Sequence, residues 1–299
     1  MRRSFYLSRL TGSAVWLKLE NEQPTGSFKV RGAVNKISLL SMEERSNGIV
    51  TGSAGNHGLG VAYASSCLDI QKVDIFVPGN APKTKLDKIE PFPAKVHISG
   101  STYEDAHQAA AAFSRESGAL EIPAYDDLDV IAGQGTIGLE ILSELPDVSL
   151  ILVPVGGGGL IAGIASAAIE MKRDCRIIGV QPEASPAALL SFREGVPHDP
   201  YDHAPTIADG LAGGFGAIPF YLARTLVERI LLVDERSMRY AIFKLLEQEQ
   251  IVVEASAAAS VAPLLQGEFD VAGETVVCIV TGGNLPIPLL REILNEFAE

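Results

Sequence analysis

The sequence contains little cysteine. Its 299 residues include three cysteines, Cys67, Cys175 and Cys278. Cysteines this few and this far apart cannot build a disulfide framework or a clustered zinc site. The sequence therefore predicts a protein of a reducing compartment, and we expect a cytoplasmic location.

Basic residues are also in deficit. Lys and Arg number 24 against 37 Asp and Glu, which gives a formal net charge of −13 at pH 7. Such a charge repels phosphate backbones and anionic lipid headgroups, so binding to nucleic acid or to a membrane surface is not expected. The first residues, MRRSFYLSRLTG, lack the apolar core of a secretory signal, and none is expected there.

One long stretch carries no charge at all. Residues 149–169 (SLILVPVGGGGLIAGIASAAI) are numerous enough to cross a bilayer as a helix. Pro154 and the four glycines at 156–159 would break such a helix at its centre. A buried strand at 150–155, a glycine loop and a buried helix at 160–172 explain the stretch better.

Short β-branched or apolar runs alternate with segments of helix length along the whole chain. Because alternating strands and helices build parallel sheets that helices cover on both faces, the pattern predicts an α/β fold. Predicted strands are 15–19, 48–51, 73–77, 95–98, 150–155, 177–181, 229–233 and 276–281. Predicted helices are 28–40, 57–68, 101–117, 130–145, 160–172, 235–249, 255–265 and 285–297. A capping box of Ser101 and Glu104 marks the start of the third helix, and Gly118 marks its end.

Four junctions between a strand and a helix have unusual sequences. Ligands bind at such junctions in open α/β sheets, because backbone N–H groups and the positive end of the helix dipole face the same space. The four are TGSFKVRGA (25–33), TGSAGNHG (51–58), VGGGGL (155–160) and TGGN (281–284).

The glycine run at 156–159 follows an apolar strand and precedes an apolar helix. Glycine lets the backbone approach a bound group, and the first helical turn offers unpaired N–H donors to an anion. A tight turn without a ligand is the alternative. A dinucleotide site is disfavoured because the next predicted strand ends in Gln181, where an acidic residue would bind the ribose. The run therefore indicates a site for a small phosphorylated cofactor.

Lys29 is predicted to lie in the first turn of a helix, beside the apolar Phe28 and Val30. The helix dipole and burial both favour its neutral amine, and a neutral lysine is a nucleophile toward aldehydes. Taken alone, a lysine in such a position is more often a solvated one. The other three junctions are what make a chemical role the better interpretation.

The junctions at 51–58 and 281–284 supply further polar groups. Ser53, Asn56 and the N–H groups of 53–57 form a concave set of donors that suits a carboxylate or a phenolic oxygen. His57 is a candidate ligand or base, but packing or capping is favoured because no second titrating residue accompanies it. Thr281 places a hydroxyl at a strand end.

Together the junctions resemble those of the fold-type II pyridoxal-phosphate enzymes, and specifically of the serine/threonine dehydratase group. The similar segments extend along nearly the whole chain: WLKLENEQPTGSFKVRGA (16–33), SAGNHGLGVA (53–62), YDDLDVIAGQGTIGLEI (125–141), VPVGGGGLIAG (153–163), TIADGLA (206–212), VEASAAA (253–259) and VTGGN (280–284). The resemblance implies two open, mainly parallel twisted sheets flanked by helices. It also implies a large cofactor-binding domain formed by residues 1–45 and 127–299, with a small α/β domain, 46–126, inserted between them.

The resemblance gives individual residues a role toward pyridoxal 5'-phosphate. Lys29 is similar to the lysine that binds the cofactor aldehyde covalently, and Phe28 to the residue beside the pyridine ring. Asn56 resembles the donor to the phenolic oxygen, and Thr281 takes the place of the group that faces the pyridine nitrogen. Glu254 is expected near the cofactor, without an assigned role.

The resemblance also implies two loops that bind anionic groups. The loop for the cofactor phosphate is Gly156, Gly157, Gly158, Gly159 and Leu160. The loop for the substrate carboxylate is Ser53, Ala54, Gly55, Asn56 and His57.

The implied activity is dehydration and deamination of a hydroxy amino acid, L-threonine or L-serine, to a 2-keto acid and ammonia. An amino acid is then the expected small-molecule partner, and the resemblance suggests a homodimer. Three alternatives stay open: a dehydratase for another substrate such as 3-hydroxyaspartate, a β-replacement synthase, and a non-catalytic protein that binds the cofactor. Val30 after Lys29 and the loop SAGNHG argue against replacement, for which Asp and a threonine-rich loop are typical.

Two departures from the family pattern narrow these expectations. Ala54 stands where the racemases of the group carry a second serine, so racemisation should be slow. The metal site of some relatives uses a Glu and an Asp at positions that are here Gln181 and Ala187, so no specific divalent cation site is expected.

Overall fold

The structure is a computed structural model that describes residues 1–81, 83–267 and 269–298. Its strands are β1 (Arg2–Arg3), β2 (Ala14–Leu19), β3 (Ile49–Gly52), β4 (Val73–Val77), β5 (Lys95–Ile98), β6 (Leu120–Glu121), β7 (Leu150–Pro154), β8 (Arg176–Pro182), β9 (Arg229–Val233) and β10 (Thr275–Val280). Its helices are α1 (Phe5–Thr11), α2 (Lys29–Ser38), α3 (Met42–Asn47), α4 (Asn56–Cys67), α5 (Lys83–Ile89), α6 (Tyr103–Ser117), α7 (Leu128–Glu144), α8 (Gly159–Met171), α9 (Ala187–Glu194), α10 (Ala217–Ala223), α11 (Glu235–Glu249), α12 (Ala255–Ala258), α13 (Ala262–Gln266) and α14 (Ile287–Phe297).

The strands form two separate sheets. The larger has the order β1-β2-β10-β7-β8-β9, and every pair in it is parallel except β1 with β2. The smaller has the order β5-β4-β3-β6 and is parallel throughout. This confirms the predicted α/β fold with two mainly parallel sheets.

The central strand β7 explains why its sequence is apolar throughout. Successive side chains of a strand point to opposite faces of the sheet. Leu150 and Leu152 pack into the core on one face, and Ile151 and Val153 pack into the core on the other. Helices cover both faces, so no polar position is left along the strand.

The uncharged stretch 149–169 forms strand β7, the glycine loop and most of helix α8, as predicted. Helix α8 crosses α7 closely, because a Cβ on Gly163 would lie 2.6 Å from the backbone nitrogen of Gly135. The missing charges thus reflect burial inside the protein. Within the described ranges, every helix is too short or too polar to cross a membrane.

Most predicted elements agree with the structure, with strand ends correct to one residue and helix ends to two. The predicted helix 255–265 is wrong as one element, since it divides into α12 and α13. Pro263 lies in the first turn of α13, where its missing N–H costs no helical bond, and the hydroxyl of Ser260 between the two helices donates to the carbonyls of Ala257 and Ile279. The predicted capping box is displaced by one residue, because Thr102 and Asp105 form it. Gly118 ends α6 in a left-handed conformation, as predicted.

The elements missing from the prediction are all short. Helices α1, α3, α5, α9 and α10 have six to eight residues, and β1 and β6 have two each. Segments of this length contain too few turns to show a periodic pattern. The predicted surface loop 195–206 contains no regular element beyond its first residue, which ends α9.

The division into two domains remains a prediction. All strands of the smaller sheet lie between residues 49 and 121, which supports boundaries near 46 and 126. The two parts meet through α2, which packs against α4 of the predicted small domain and α7 of the predicted large one. This meeting place is where the four junctions lie.

Candidate active site

Two of the four junctions are joined directly by backbone hydrogen bonds. Ser27 and Gly282 form an isolated antiparallel bridge, and the N–H of Phe28 donates to the carbonyl of Thr281 at 3.0 Å. The N–H of Gly283 donates to Gly26, which has a left-handed φ of 69°. The start of α2 is therefore fixed to the end of β10, and Lys29 lies beside Thr281.

Lys29 is the first residue of α2, at the end of the helix where the dipole opposes a positive charge. Its Nζ donates to the carbonyl of Ala124 at 2.8 Å and lies 5.3 Å from the centre of the Phe28 ring. Burial lowers the pKa of the amine to about 8, and the charge of Glu254 only partly opposes this shift. The lowered pKa enlarges the neutral fraction of the amine, the form that acts as a nucleophile or a base.

The junction at 51–58 presents free donors at the start of α4. Gly55 precedes the helix without a side-chain cap, and no acidic residue lies in its first turn. Among the described residues no acceptor pairs with the N–H groups of Asn56 and His57. The N–H of Gly55 donates to the hydroxyl of Ser53, which is itself buried. This set of donors can bind a carboxylate.

Asn56 is held by two residues that come from distant parts of the chain. Its Nδ2 donates to both carboxylate oxygens of Glu254, at 2.9 and 3.1 Å, and its Oδ1 accepts from Asn284 at 2.7 Å. An ionised carboxylate only accepts, and both Glu254 oxygens contact the nitrogen of the Asn56 amide. Burial raises the pKa of Glu254 to about 7. The structure thus gives Glu254, which had no role in the sequence analysis, a position that orients Asn56.

His57 is buried, and its ring is held by the segment that follows β6. It is 4% exposed, and its Nε2 lies 2.9 Å from the carbonyl oxygen of Ile122. Burial, followed by the charge of Lys29, lowers the pKa of the ring to about 3. A neutral imidazole that donates to a backbone carbonyl supports the packing role over that of a base.

The pKa of His57 predicts a dependence of stability on pH. The folded protein binds the proton more weakly than the unfolded chain, so the contribution of His57 is complete above about pH 6.5 and is lost as pH falls toward 3. We expect the free energy of unfolding, measured by urea titration at a series of pH values, to fall less steeply with falling pH in His57→Gln than in wild type. Glutamine keeps a donor for the carbonyl of Ile122. The exposed His203→Gln is the control and should keep the wild-type slope. Equal slopes for wild type and His57→Gln would contradict the assignment.

The glycine run begins helix α8 with unpaired N–H groups. Gly158 has a left-handed φ of 92°, and the helix has neither a side-chain cap nor an acidic residue in its first turn. The N–H groups of 157–160 donate to no acceptor within the described part of the chain. Side chains at these positions would be excluded, because Cβ atoms on Gly157 and Gly158 would overlap the rings of Tyr125 and Phe215. Free donors at a helix start form a cradle for a phosphate.

Thr281 contributes a buried hydroxyl at the end of β10. The residue is 3% exposed, and its Oγ1 has no partner among the described residues. Buried polar atoms are nearly always hydrogen-bonded, so this hydroxyl is suited to a bound group. The anion cradle, the buried amine of lowered pKa and the unpaired hydroxyl match the phosphate, the aldehyde and the ring nitrogen of pyridoxal phosphate. The residues present therefore fit the predicted cofactor.

Gln181 and Ala187, at the two positions where some relatives carry metal ligands, have structural roles here. Gln181 is fully buried, and its Oε1 accepts from the N–H groups of Ala188 and Leu189 at the start of α9. Its Nε2 donates to the carbonyl of Val155 at 3.2 Å. Ala187 is the first residue of α9. The amide of Gln181 thus connects β8, β7 and α9.

Tyr125 is a site residue that the sequence analysis missed. It follows Ala124, whose carbonyl binds Lys29, and its ring packs on Gly157. Its hydroxyl lies 3.0 and 3.2 Å from the carboxylate oxygens of Asp199. The signal for Tyr125 was its place at the start of the segment YDDLDVIAGQGTIGLEI, whereas nothing in the sequence indicates that Asp199 lies beside it.

Comparison with known proteins agrees with this geometry. The family model described as pyridoxal-phosphate dependent enzyme matches residues 1–282. The chain belongs to this family. An L-threonine ammonia-lyase of Thermotoga maritima is 42% identical over 294 residues, which are 98% of this chain and 73% of that protein. The catabolic L-threonine dehydratase of Escherichia coli is 38% identical over 296 residues, 98% of this chain and 89% of that protein.

Solved structures give the same result for the fold. The processed form of threonine deaminase isoform 2 from Solanum lycopersicum superimposes with a TM-score of 0.95 at 33% identity, covering 100% of this chain and 88% of that one. Maize serine racemase superimposes with a TM-score of 0.90 at 30% identity, covering 99% and 91%. The fold is therefore that of fold-type II pyridoxal-phosphate enzymes, and pyridoxal phosphate is the cofactor of this chain.

Proposed function

We propose that the chain is an ammonia-lyase that converts a β-hydroxy amino acid, L-threonine or L-serine, to a 2-keto acid and ammonia. One observation carries the proposal: a buried lysine of lowered pKa lies at the start of a helix, and through Ala124 and Tyr125 it is joined to a glycine run with free N–H groups. Relatives that align with almost the whole chain are named for the reaction of L-threonine.

The cofactor would be held at both ends by groups of this chain. The N–H groups of 156–160 would bind its phosphate, and Lys29 would bind its aldehyde covalently. Asn56 would donate to its phenolic oxygen through one of the two N–H bonds that point to Glu254 here, Phe28 would lie beside its ring, and Thr281 would face its nitrogen. When bound, the cofactor supplies an electron-withdrawing ring that makes the Cα proton of the substrate acidic.

The Lys29 amine is the base that removes the Cα proton. Its pKa of about 8 lets it accept and return a proton near neutral pH. The loop from Ser53 to His57 binds the α-carboxylate through the free N–H groups at the start of α4. Water leaves the substrate as its β-hydroxyl is lost and is taken up again on hydrolysis, so the net products are the keto acid and ammonia.

Two side chains direct the reaction toward elimination. Thr281 offers a neutral hydroxyl, which does not hold a ring nitrogen protonated as a carboxylate would. Ala54 has no group that could protonate the opposite face of Cα, so we expect racemisation of serine to be slow. Fast racemisation would contradict this role of Ala54.

The proposal also includes a cytoplasmic location and a homodimer. A cytoplasmic location is supported by cysteines that are free at all three positions, Cys67, Cys175 and Cys278. A homodimer is supported by the family resemblance. Sedimentation equilibrium of the purified protein would test the homodimer, since a monomer at all concentrations would exclude it.

The reaction is tested with purified holoenzyme and a panel of amino acids. We expect a yellow protein that releases ammonia and a 2-keto acid in equal amounts from L-threonine and L-serine, and none from L-alanine. A yellow protein without ammonia release from any β-hydroxy amino acid would refute the proposed function. Sulfide-dependent replacement of an activated serine, faster than ammonia release, would indicate a synthase instead.

A further inference from the structure

Tyr125 forms the wall of the site between the amine and the glycine cradle. The carbonyl of the preceding residue, Ala124, accepts the hydrogen bond of Lys29. The Tyr125 ring lies between two glycines, since a Cβ on Gly157 would overlap it and a Cβ on Gly216 would lie 3.0 Å from it. The N–H of Gly216 donates to the carbonyl of Gly157 at 3.2 Å, which joins the two glycine segments on either side of the ring. The position of the phenol is therefore fixed.

The phenol holds an exposed carboxylate on the side away from Gly157 and Gly216. Asp199 comes from the loop after α9 and accepts the hydroxyl of Tyr125. Its carboxylate packs where a side chain at Gly214 would otherwise lie. The loop and the glycine segment thus place one negative charge beside the wall that Tyr125 forms.

The surroundings of Asp199 are acidic. The charged groups that act on it are Asp126 and Glu104, which raise its pKa together with burial, and His107, which opposes them. The ring of His107 is stacked on Tyr103, with 6.1 Å between the ring centres. A second carboxylate on a substrate would meet several like charges here and one imidazole.

We propose that Tyr125 and Asp199 select the substrate side chain, admitting uncharged β-hydroxy amino acids and rejecting those with a second carboxylate. This inference rests on the proposed function, in which the loop 53–57 binds the α-carboxylate. Tyr125 follows the residue whose carbonyl binds the Lys29 amine, so its wall is available to the side chain of the substrate. Of the substrates that the sequence left open, threonine and serine fit this wall and 3-hydroxyaspartate does not.

The test compares kcat/KM for L-threonine and 3-hydroxyaspartate in wild type and in Asp199→Asn. The variant removes the charge and keeps an acceptor for Tyr125. We expect the wild type to prefer threonine by more than about tenfold, and the ratio to fall by about tenfold in Asp199→Asn, since two like charges a few ångströms apart repel by amounts of this order even near a protein surface. Asp199→Ser, a second variant without charge, should move the ratio in the same direction.

Asp202→Asn is the matched control, because Asp202 is exposed in the same loop. It should leave the ratio at the wild-type value. An unchanged ratio in both Asp199 variants, with normal turnover of threonine, would overturn this inference and leave the proposed function standing. A wild-type enzyme that prefers 3-hydroxyaspartate would also overturn it. A yellow wild type that releases ammonia from neither substrate would refute the proposed function itself.

Discussion

Replacing Lys29 with alanine is expected to abolish turnover of L-threonine. The proposed function uses this amine twice, to hold the cofactor and to move the Cα proton. Loss of a positioned base alone costs about 10²–10⁴ in rate, so kcat should fall by at least about a thousandfold once covalent binding is also lost. Ammonia release under saturating L-threonine, with added pyridoxal phosphate, measures the effect.

Lys83→Ala is the control for Lys29→Ala. Lys83 is an exposed lysine that pairs with Asp87 on its own helix, and its loss should leave kcat unchanged. Circular dichroism should show that both variants are folded. A Lys29→Ala protein that keeps more than a tenth of the wild-type kcat would contradict the role of this amine.

Gly58→Ala is expected to damage the carboxylate loop through a single methyl group. A Cβ at this position would overlap the backbone carbonyl of Ser53, so the loop and the start of α4 must separate. Overpacking of this kind costs about 1–3 kcal/mol of stability. A displacement of the loop by about 1 Å can cost about a hundredfold in kcat/KM, and we expect a loss of that order for L-threonine.

Gly55→Ala provides the matched control for stability. A Cβ on Gly55 would meet only the Ser53 hydroxyl, at 3.9 Å, which is an ordinary contact. The backbone φ of −98° is also open to alanine. The urea midpoint should therefore fall in Gly58→Ala and remain at the wild-type value in Gly55→Ala. A Gly58→Ala protein with the wild-type urea midpoint and kcat/KM would contradict the predicted overlap with Ser53.

The elements that the sequence predicted well are those with a local signal. Helix α11 was predicted over its full length because its apolar residues recur at helical spacing on one side and polar residues occupy the other. Strand β7 was predicted because an apolar run between two turn signals is typical of a buried parallel strand. Between α12 and α13, Ser260 donates to the carbonyl of Ile279, which lies outside the segment. A local pattern cannot contain that information.

The same distinction explains the site. Lys29, Asn56, the glycine run and Thr281 lie at junctions whose local sequence is unusual, and the resemblance of several motifs gave them roles. The contact of Glu254 with Asn56 spans 198 residues, and that of Tyr125 with Asp199 spans 74. Such pairs depend on how the two sheets and their loops meet, which only the folded chain determines. The pairing of Tyr125 with Asp199 therefore could not be predicted from the sequence.

Borohydride reduction of the holoenzyme, followed by proteolysis and mass spectrometry, is the most direct test of the central claim. Reduction makes the bond between the cofactor and its lysine permanent, so the mass of the labelled peptide identifies the residue. Our account predicts one labelled peptide, which contains TGSFKVR, with the added mass on Lys29. A yellow enzyme whose label lies on any other lysine would contradict the account.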